Sequence, residues 1–385
     1  MPSPANNGGK SAAAPMNEPV QRIFYTFVTM NVSLAFIRAL PKVELHCHLE
    51  GALRLSTLWE FMQRYEPRLF ATVEAFRTAS TVEREGVPGF APFLEKFGAL
   101  RFHYGSIENI ERVAAECVET AANDGVIYLE LRYSPIFFAR RMLKGDAANG
   151  PVSIELTEAA AEAVMRGARR EAAKRGMRVS FLVTCSRHFG FEVNKPALDL
   201  LHHRESAEIL GLDLAGDESV DASAFNPSFL EWKAAGKFIT IHAGEDPRGA
   251  GAAHVLEALD LYGADRIGHG VRVIEDARAV ERVAREGVPL ELCPTSNVQT
   301  QAAADAARHP LKRLLDAGVC ATINTDDPTI CGTSLSEEYL LASERMGLSF
   351  EDLKRCAVNT ARAAFLPRDE KRALTERIEA AWGRV

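Results

Sequence analysis

Short apolar runs alternate along the chain with longer stretches in which apolar residues recur with helical spacing. Such runs, bounded by turn residues, predict buried strands, and the stretches between them predict helices. We predict eight strands, at residues 43–48, 126–133, 178–184, 211–215, 238–242, 266–268, 289–293 and 321–325. Eight strands that alternate with helices are typical of an α/β fold of the (β/α)8 or TIM barrel type.

Helix signals fill most of the segments between the predicted strands. Helices are predicted, in chain order, at residues 154–175, 195–209, 253–261, 275–286 and 310–317. The first of these consists of good helix formers, and most of the others end near a glycine that can stop a helix. The segment 51–124 is far longer than an ordinary connection, so we expect extra helices over the barrel mouth. Beyond Asp327 the pattern is helical through Arg384.

One barrel domain accounts for residues 36–385, because no repeat, linker or second apolar core interrupts the pattern. Residues 2–15 are small and polar and are predicted to be disordered. The apolar run 23–37 is too short for a confident membrane span. We interpret it as a helix that caps the barrel, and a signal-peptide core stays open as an alternative. Residues 1–35 are therefore predicted to be a disordered or capping segment.

Composition and charge narrow the class of protein. Of the 385 residues, 47% are apolar and 25% are charged, as in ordinary globular proteins. The formal net charge is −7, so we expect neither a nucleic-acid partner nor a membrane partner, which would favour a basic patch. The seven cysteines are scattered without a CxxC pair, which argues against a disulfide framework or a cysteine zinc site. A reducing cytoplasm fits this pattern.

Polar residues with metal-binding chemistry stand at the ends of three predicted strands. His46 and His48 are two apart on strand one, so their side chains share one face. His242 ends strand five and Asp326 follows strand eight. Taken singly, each has an ordinary structural explanation, such as a core histidine or a turn aspartate. Barrel enzymes gather strand ends at one active site, and three histidines with one carboxylate suit a single Zn²⁺ with an open position for water.

Seven segments in chain order match one known family. They are residues 41–51, 128–135, 212–218, 242–245, 268–270, 293–297 and 324–328. From about Leu40 to the C-terminal helices, the chain resembles the adenosine/adenine/AMP deaminases of the metal-dependent amidohydrolase superfamily, and it is most similar to the adenosine deaminases. The resemblance implies a zinc-dependent enzyme that removes the 6-amino group of a purine by hydrolysis, as in the conversion of adenosine or deoxyadenosine to the inosine product and ammonia.

The resemblance also implies a role for each matching residue. The zinc ligands would be His46, His48, His242 and Asp326. Glu245 would protonate purine N1, and His269 would orient the activated water and stabilise developing charge. Asp327 would bind purine N7, and the backbone N–H of Gly216 would meet N3. A relative that has lost catalysis is a further possibility, but the presence of Glu245 together with all four ligands argues against it.

One residue departs from the pattern and leaves the substrate open. Glu50 stands where adenosine deaminases usually have an aspartate that contacts the ribose 5′-hydroxyl, and glutamate is more typical of adenine deaminases. Residues 214–218 and 295–300, by contrast, look like those of the nucleoside enzymes. We favour adenosine, with 6-aminodeoxyfutalosine and adenine as alternatives.

Two further sets of polar residues are predicted to be structural. Glu130 and Arg132 share one face of strand two, and inward-facing charges of this kind usually pair within a core. Cys293, Ser296 and Asn297 follow strand seven, and we interpret them as residues that shape a loop, because no base is evidently paired with them.

Overall fold

A computed structural model describes residues 32–82, 89–100, 104–144, 150–203 and 207–384. Eight strands form one sheet in chain order, and each is parallel to the next. They are β1 Lys42–His48, β2 Val126–Tyr133, β3 Arg178–Ser186, β4 Ile209–Ala215, β5 Phe238–Ala243, β6 Arg266–His269, β7 Leu290–Leu292 and β8 Ala321–Ile323. The predicted strands and the (β/α)8 barrel class are confirmed.

Helices surround the sheet and follow its last strand. They are α1 Leu34–Ala39, α2 Leu55–Tyr65, α3 Val73–Ser80, α4 Phe90–Ala99, α5 Ile107–Asn123, α6 Pro135–Arg140, α7 Ile154–Arg175, α8 Phe191–Asp199, α9 Asn226–Ala234, α10 Ala252–Tyr262, α11 Ala277–Glu286, α12 Pro294–Gln299, α13 Leu311–Asp316, α14 Pro328–Cys331, α15 Leu335–Met346, α16 Phe350–Ala363 and α17 Arg368–Trp382. No helix in these described ranges combines the length and apolar character needed to cross a bilayer.

Local sequence explains why the longest helix forms where it does. The Ser153 side chain accepts a hydrogen bond from the Leu156 N–H at the start of α7, and Gly176 ends the helix in the left-handed conformation. The helix packs against α5 at Gly167, where a Cβ atom would lie only 2.1 Å from the carbonyl oxygen of Glu111. Glycine is therefore required at this crossing, although it weakens an isolated helix.

The barrel closes between its last and first strands at one short bridge. Asp326, just beyond β8, donates its backbone N–H to the carbonyl of His46 at 2.8 Å and accepts from the N–H of His48 at 2.8 Å. An isolated bridge pairs Cys47 with Asp326 at the same place. The closure thus lies at the C-terminal ends of the strands, where barrel enzymes place their active sites.

Two connections can be compared with their predictions. The extra helices expected within 51–124 are present as α2 to α5. The single helix predicted over 195–209 is wrong: α8 begins earlier, a 3-10 turn covers Leu200–His202, and β4 already begins at Ile209. Ile209 pairs with Phe181 of β3 and so belongs to the sheet, whereas helical periodicity predicts that it belongs to the helix.

The N-terminal predictions fall mostly outside the described residues. Residues 1–31, and so most of the predicted 1–35 segment, are not among them. Within the remainder, α1 begins after Ser33, whose side chain accepts from the Phe36 N–H, and Ile37 of this helix is buried. The domain boundary at residue 36 stays a prediction.

Paired charges fill the barrel interior beneath the strand ends. Arg266 lies 2.5 Å from a carboxylate oxygen of Glu130 and 2.6 Å from one of Glu291. Arg132 donates to Glu291 at 2.7 Å. All four side chains are buried. Glu130 and Arg132 therefore pair with charges on other strands, in keeping with their predicted structural role.

Replacing Arg266 by methionine tests this network. The change leaves Glu130 and Glu291 buried without one of their cations, so we expect a loss of about 3–5 kcal/mol in the free energy of unfolding. Urea denaturation would measure it. Arg372→Met is the matched control, because its partner Asp369 is 3.6 Å away and both side chains are largely exposed. Equal denaturation midpoints for the two variants would contradict the prediction.

Candidate active site

The four predicted metal ligands lie together at the closure of the barrel. Nε2 of His46 is 3.3 Å from Oδ1 of Asp326, and Nε2 of His48 is 3.5 Å from the same oxygen. Nε2 of His48 is also 3.1 Å from Nε2 of His242. His46 and His48 reach this point because alternate residues of β1 face the same way, and His242 reaches it from the end of β5.

Two of these histidines are oriented by buried carboxylates behind them. Nδ1 of His46 is 2.8 Å from Glu291, and Nδ1 of His242 is 2.8 Å from Asp213. A carboxylate accepts a hydrogen bond from a protonated Nδ1, which leaves the lone pair on Nε2 directed at the cluster. Burial by itself would raise the pKa of Asp213, but the charges of His242 and Arg132 outweigh it and hold that pKa well below its usual value.

Sequence reasoning gave Glu291 and Asp213 no role. The available signal was a single charge within an apolar strand, Leu290-Glu291-Leu292 and Leu212-Asp213-Leu214. Such a residue points into the barrel and needs a partner there. The sequence does not say which cation or histidine that partner is, because it comes from another strand.

The donor set fits a divalent metal ion. Ring nitrogens of His46, His242 and His269 and a carboxylate oxygen of Asp326 all lie within 4.8 Å of one another. Within the described part of the chain, the buried Nε2 of His46 makes no aligned hydrogen bond. A buried lone pair is costly to leave without a partner, and a set rich in imidazole nitrogen with one carboxylate suits zinc and similar ions.

The backbone is bent at two of these residues. His269 has φ +58° and Asp326 has φ +66°, and Gln301 is the one other non-glycine residue with positive φ in the described ranges. The left-handed region is unfavourable for side chains with a Cβ, although Asp, Asn and His tolerate it best. Local strain concentrated at a cluster of polar groups is typical of functional sites.

A buried carboxylate shapes the loop that carries Glu245. Glu218 accepts hydrogen bonds from three successive backbone N–H groups, those of Gly244 at 2.9 Å, Glu245 at 2.7 Å and Asp246 at 3.1 Å. This turns the chain after His242 so that Glu245 lies beside His269, with 3.4 Å between Oε2 and Nε2. Sequence reasoning included Glu218 in a motif but gave it no role. Its signal was weak, because an acidic residue in a loop is usually solvated.

Burial and neighbouring charges favour the neutral form of both Glu245 and Asp327. Burial, followed by the charges of Asp326 and Glu218, raises the pKa of Glu245 well above its usual value. Burial, followed by the charges of Asp326 and Glu50, does the same for Asp327. A neutral carboxyl is a proton or hydrogen-bond donor, which an ionised one is not. The pocket therefore presents two carboxyl groups that can donate, next to one, Asp326, that is ionised.

Glycine allows Asp327 to occupy its position. A Cβ atom on Gly51 would lie 1.8 Å from Oδ1 of Asp327, so no other residue fits at 51 without moving the aspartate. Gly216 has φ +92°, and a Cβ there would lie 2.5 Å from Nδ1 of His188. Both glycines belong to motifs at strand ends, where the backbone approaches the site closely.

These groups line one cavity with about 840 Å³ of empty space, part of it open to solvent. Eight of the predicted site residues line it: His48, Glu50, Gly216, His242, Glu245, His269, Asp326 and Asp327. His46 lies just behind them. The lining also has an apolar part, the aromatic wall, which consists of Phe90, Phe93, Leu94 and Phe97 from α4, with Phe137 and Phe189. Sequence analysis predicts helices over the mouth but not these side chains. A lining that combines polar groups with aromatic side chains suits a flat heterocycle with polar edges.

Glu50 lies inside this cavity rather than at its rim. Its Oε1 accepts from the backbone N–H of Ser134 at 2.5 Å, and its Oε2 is buried without a hydrogen bond among the described residues. Burial raises the pKa of Glu50 to about 8. The side chain can therefore either donate or accept a hydrogen bond near neutral pH.

The loop after β7 contributes more than its predicted shape. Ser296 donates to Oδ2 of Asp326 at 2.6 Å, and Asn297 lies 3.0 Å from Nδ1 of His269. Both residues therefore hold groups of the site. Cys293 at the start of this loop is buried, and burial raises the pKa of its thiol well above its usual value. A thiol of this kind is a poor nucleophile.

Comparison with known proteins assigns the family. The family model described as adenosine deaminase matches residues 41–381. The adenosine deaminase of Erwinia tasmaniensis is 38% identical over 343 residues, which cover 89% of this chain and 98% of the relative.

Two solved structures show the same architecture. An amidohydrolase from Burkholderia ambifaria with bound zinc aligns with a TM-score of 0.79 and 26% identity, over 93% of this chain and 95% of that one. Arabidopsis ADAL complexed with IMP aligns with a TM-score of 0.74 and 25% identity, over 91% and 99%. Since the family model spans the whole barrel and the Erwinia relative matches over nearly its full length, this chain belongs to the adenosine deaminase family, a metal-dependent family of hydrolytic deaminases.

Proposed function

We propose that this enzyme deaminates adenosine and deoxyadenosine to the inosine product and ammonia, with one zinc ion per chain. The observation that carries the proposal is that two buried carboxyl groups with a raised pKa, Glu245 and Asp327, line one cavity together with a nitrogen-rich set of candidate ligands. Hydrolysis at purine C6 needs a proton donor at N1 and a water activated on one face of the ring. In this cavity Glu245 would be the proton donor, and a zinc ion held by the candidate ligands would activate the water.

The zinc ion would be held by His46, His48, His242 and Asp326. When bound, it supplies the Lewis acidity that makes water a nucleophile near neutral pH. His269 lies in the same cluster, but we assign it a different role, as the group that orients the attacking water.

Glu245 would act on the base. Its carboxyl proton passes to purine N1, which withdraws electrons from C6 and prepares that carbon for attack by water. The resulting carboxylate then takes up a proton that the attacking water releases and passes it to the departing amino group, and the second proton of that water restores the acid as the C6 carbonyl forms. A raised pKa is what this cycle requires, because the acid must be protonated before each turnover.

Asp327 and Gly216 would hold the other edge of the purine. N7 is a hydrogen-bond acceptor, so a partner at N7 must donate, and the raised pKa of Asp327 meets that need. Gly216 lines the same cavity, and its N–H would bind N3. The aromatic wall from α4 would cover the face of the base and keep bulk water away from the reaction.

Glu50 would bind the sugar. Glu50 lines the cavity, and its buried Oε2 makes no hydrogen bond within the described part of the chain, so a ribose hydroxyl would supply the missing donor. The relatives named as adenosine deaminases support a nucleoside over the free base. 6-Aminodeoxyfutalosine, which also carries adenine on a ribose, stays an alternative, as does adenine.

All seven cysteines lie in the described residues and are free thiols. This supports our proposal that the enzyme works in a reducing compartment such as the cytoplasm.

The metal proposal predicts about one zinc per chain in protein purified without chelators, by elemental analysis. His242→Ala should lose both zinc and activity, because it removes one ligand and leaves Asp213 buried without its partner. His202→Ala is the control. The side chain of His202 is largely exposed, so this variant should keep its zinc. Two metal ions per chain, or full zinc content in the His242 variant, would contradict the assignment.

Glu245→Gln keeps the shape of the side chain but cannot cycle a proton. We expect normal zinc content and a fall in kcat of roughly 10²–10⁴-fold. In the unmodified enzyme, kcat/KM should fall as pH rises through the raised pKa of Glu245, because the free enzyme must carry the proton. That alkaline limb should be absent in the residual activity of the variant. A variant with nearly full kcat would place the proton transfer on another group.

The substrate proposal is tested by comparing kcat/KM for adenosine, adenine and 6-aminodeoxyfutalosine on the unmodified enzyme. We expect adenosine to be preferred. Glu50→Ala should lower kcat/KM for adenosine by an amount that corresponds to a loss of about 1–3 kcal/mol in transition-state stabilisation, the usual effect of removing the partner of a bound hydroxyl. The same change should affect kcat/KM for adenine much less. A preference for adenine above about tenfold would reject the nucleoside assignment while leaving the metal and acid assignments standing.

A further inference from the structure

A buried chain of polar groups leads from His269 away from the cavity. Nδ1 of His269 is 3.0 Å from Nδ2 of Asn297, and Oδ1 of Asn297 is 3.2 Å from Nε2 of His309. Nδ1 of His309 in turn is 3.2 Å from the backbone N–H of Leu311. His309 lies outside every segment used to predict the site, and none of the steps proposed above involves it.

Backbone N–H groups fix the direction of every hydrogen bond in this chain. The N–H of Leu311 can only donate, so Nδ1 of His309 accepts. Burial lowers the pKa of His309 to about 3, so the ring is neutral and carries its one proton on Nε2. That proton is donated to Oδ1 of Asn297. The amide oxygen also accepts from the backbone N–H of Cys293 at 3.2 Å.

The orientation of the Asn297 amide is therefore set twice. Cys293 and His309 both direct donors at one of its two terminal atoms, so that atom is the oxygen. The other atom is the NH2 group, which donates to Nδ1 of His269. A neutral imidazole that accepts at Nδ1 carries its proton on Nε2.

We infer that Asn297 and His309 form a positioning relay that keeps the proton of His269 on Nε2, so that His269 donates a hydrogen bond into the cavity and stays out of the ligand set of the metal. This inference rests on the proposed function, in which His269 orients water. It explains a distinction that distance alone does not make, because the ring nitrogen of His269 lies in the same 4.8 Å cluster as those of His46 and His242.

The partners of Nδ1 separate the three histidines. His46 and His242 face carboxylates, Glu291 and Asp213, which keep the proton on Nδ1 and leave Nε2 as a lone pair for a metal. His269 faces an amide NH2, which places the proton on the opposite nitrogen. A histidine in this cluster thus offers either a lone pair or an N–H at Nε2, according to the group that contacts its Nδ1.

The inference predicts the tautomer of His269 in the zinc-loaded enzyme. Nitrogen-15 NMR of histidine-labelled protein distinguishes a protonated ring nitrogen from one with a lone pair, and the spectrum of His269→Ala identifies the signals of His269. We expect the proton on Nε2. A proton on Nδ1 in the unmodified enzyme would overturn the relay, whatever the activity.

Asn297→Asp reverses the relay with little change in shape. A carboxylate still accepts from Cys293 and His309 but cannot donate to His269, so the proton should move to Nδ1. We expect this change in the nitrogen-15 spectrum together with a fall in kcat on the order of 10²–10⁴-fold, the scale seen when a catalytic histidine is held in the wrong tautomer. If the spectrum keeps the proton on Nε2, the relay does not set the tautomer and the inference fails.

Two further variants separate the relay from folding and from the role of His269. His309→Gln retains an N–H that can donate to Asn297, and His309→Leu does not, so the Gln variant should keep more of both kcat and the Nε2–H signal. Equal behaviour of the two would overturn the part assigned to His309. If Asn297→Asp moves the proton and kcat stays within about threefold, the relay stands, and the proposed role of His269 in the reaction is what fails.

Discussion

Two backbone hydrogen bonds between Asp326 and β1 hold the ends of the barrel together, and the site depends on them. The same residue supplies a carboxylate to the ligand cluster, and its neighbours in the bridge are His46 and His48. Closure of the fold and assembly of the centre are therefore one event. A chain in which β8 did not meet β1 would have these residues apart, with no cluster, since His242 and His269 come from β5 and β6 in the other half of the sheet.

Charge is organised in layers below and above this closure. Below it, the buried carboxylate of Glu291 lies between the guanidinium of Arg266 and Nδ1 of His46, so it has a cation on one side and an imidazole N–H on the other. Above it, burial and the charge of Asp326 raise the pKa of the carboxyls of Glu245 and Asp327, so both favour the neutral form. The lower layer orients the histidines of the cluster, and the upper layer contains carboxyls that can donate. Burial, followed by the charge of Asp326, disfavours ionisation of the upper carboxyls.

Much of this arrangement follows from the sequence because strands have a simple geometry. Alternation on β1 puts His46 and His48 on one face, and the barrel rule gathers the strand ends, so the ligand positions could be predicted. What could not be predicted depends on pairing across the sheet. His46 and Glu291 are 245 residues apart, and nothing local marks them as partners. The helix predicted at 195–209 failed for a related reason, since Ile209 is drawn into β4 by β3.

Other features were missed because their signals are common ones. A phenylalanine-rich helix such as α4 is usually packed in a core, and only the position of the helix beside the cavity makes its side chains part of the lining. His309 precedes a proline in an unremarkable loop, and its partner Asn297 was interpreted as a loop residue. In both cases the sequence shows the residue type, but it does not show the contact with the cavity or with Asn297 that suggests a role.

The left-handed backbone at His269 and Asp326 has a consequence for how this centre can change over time. At most positions alanine is the mildest replacement, but here it would retain the backbone strain while removing the polar group that compensates it. Glycine would relieve the strain, and asparagine would tolerate it, so these two are the accessible neighbours in sequence space. Asparagine or glycine at either position would therefore remove a polar group of the centre without changing its shape, and an inactive descendant of this enzyme would be expected to bear those residues there.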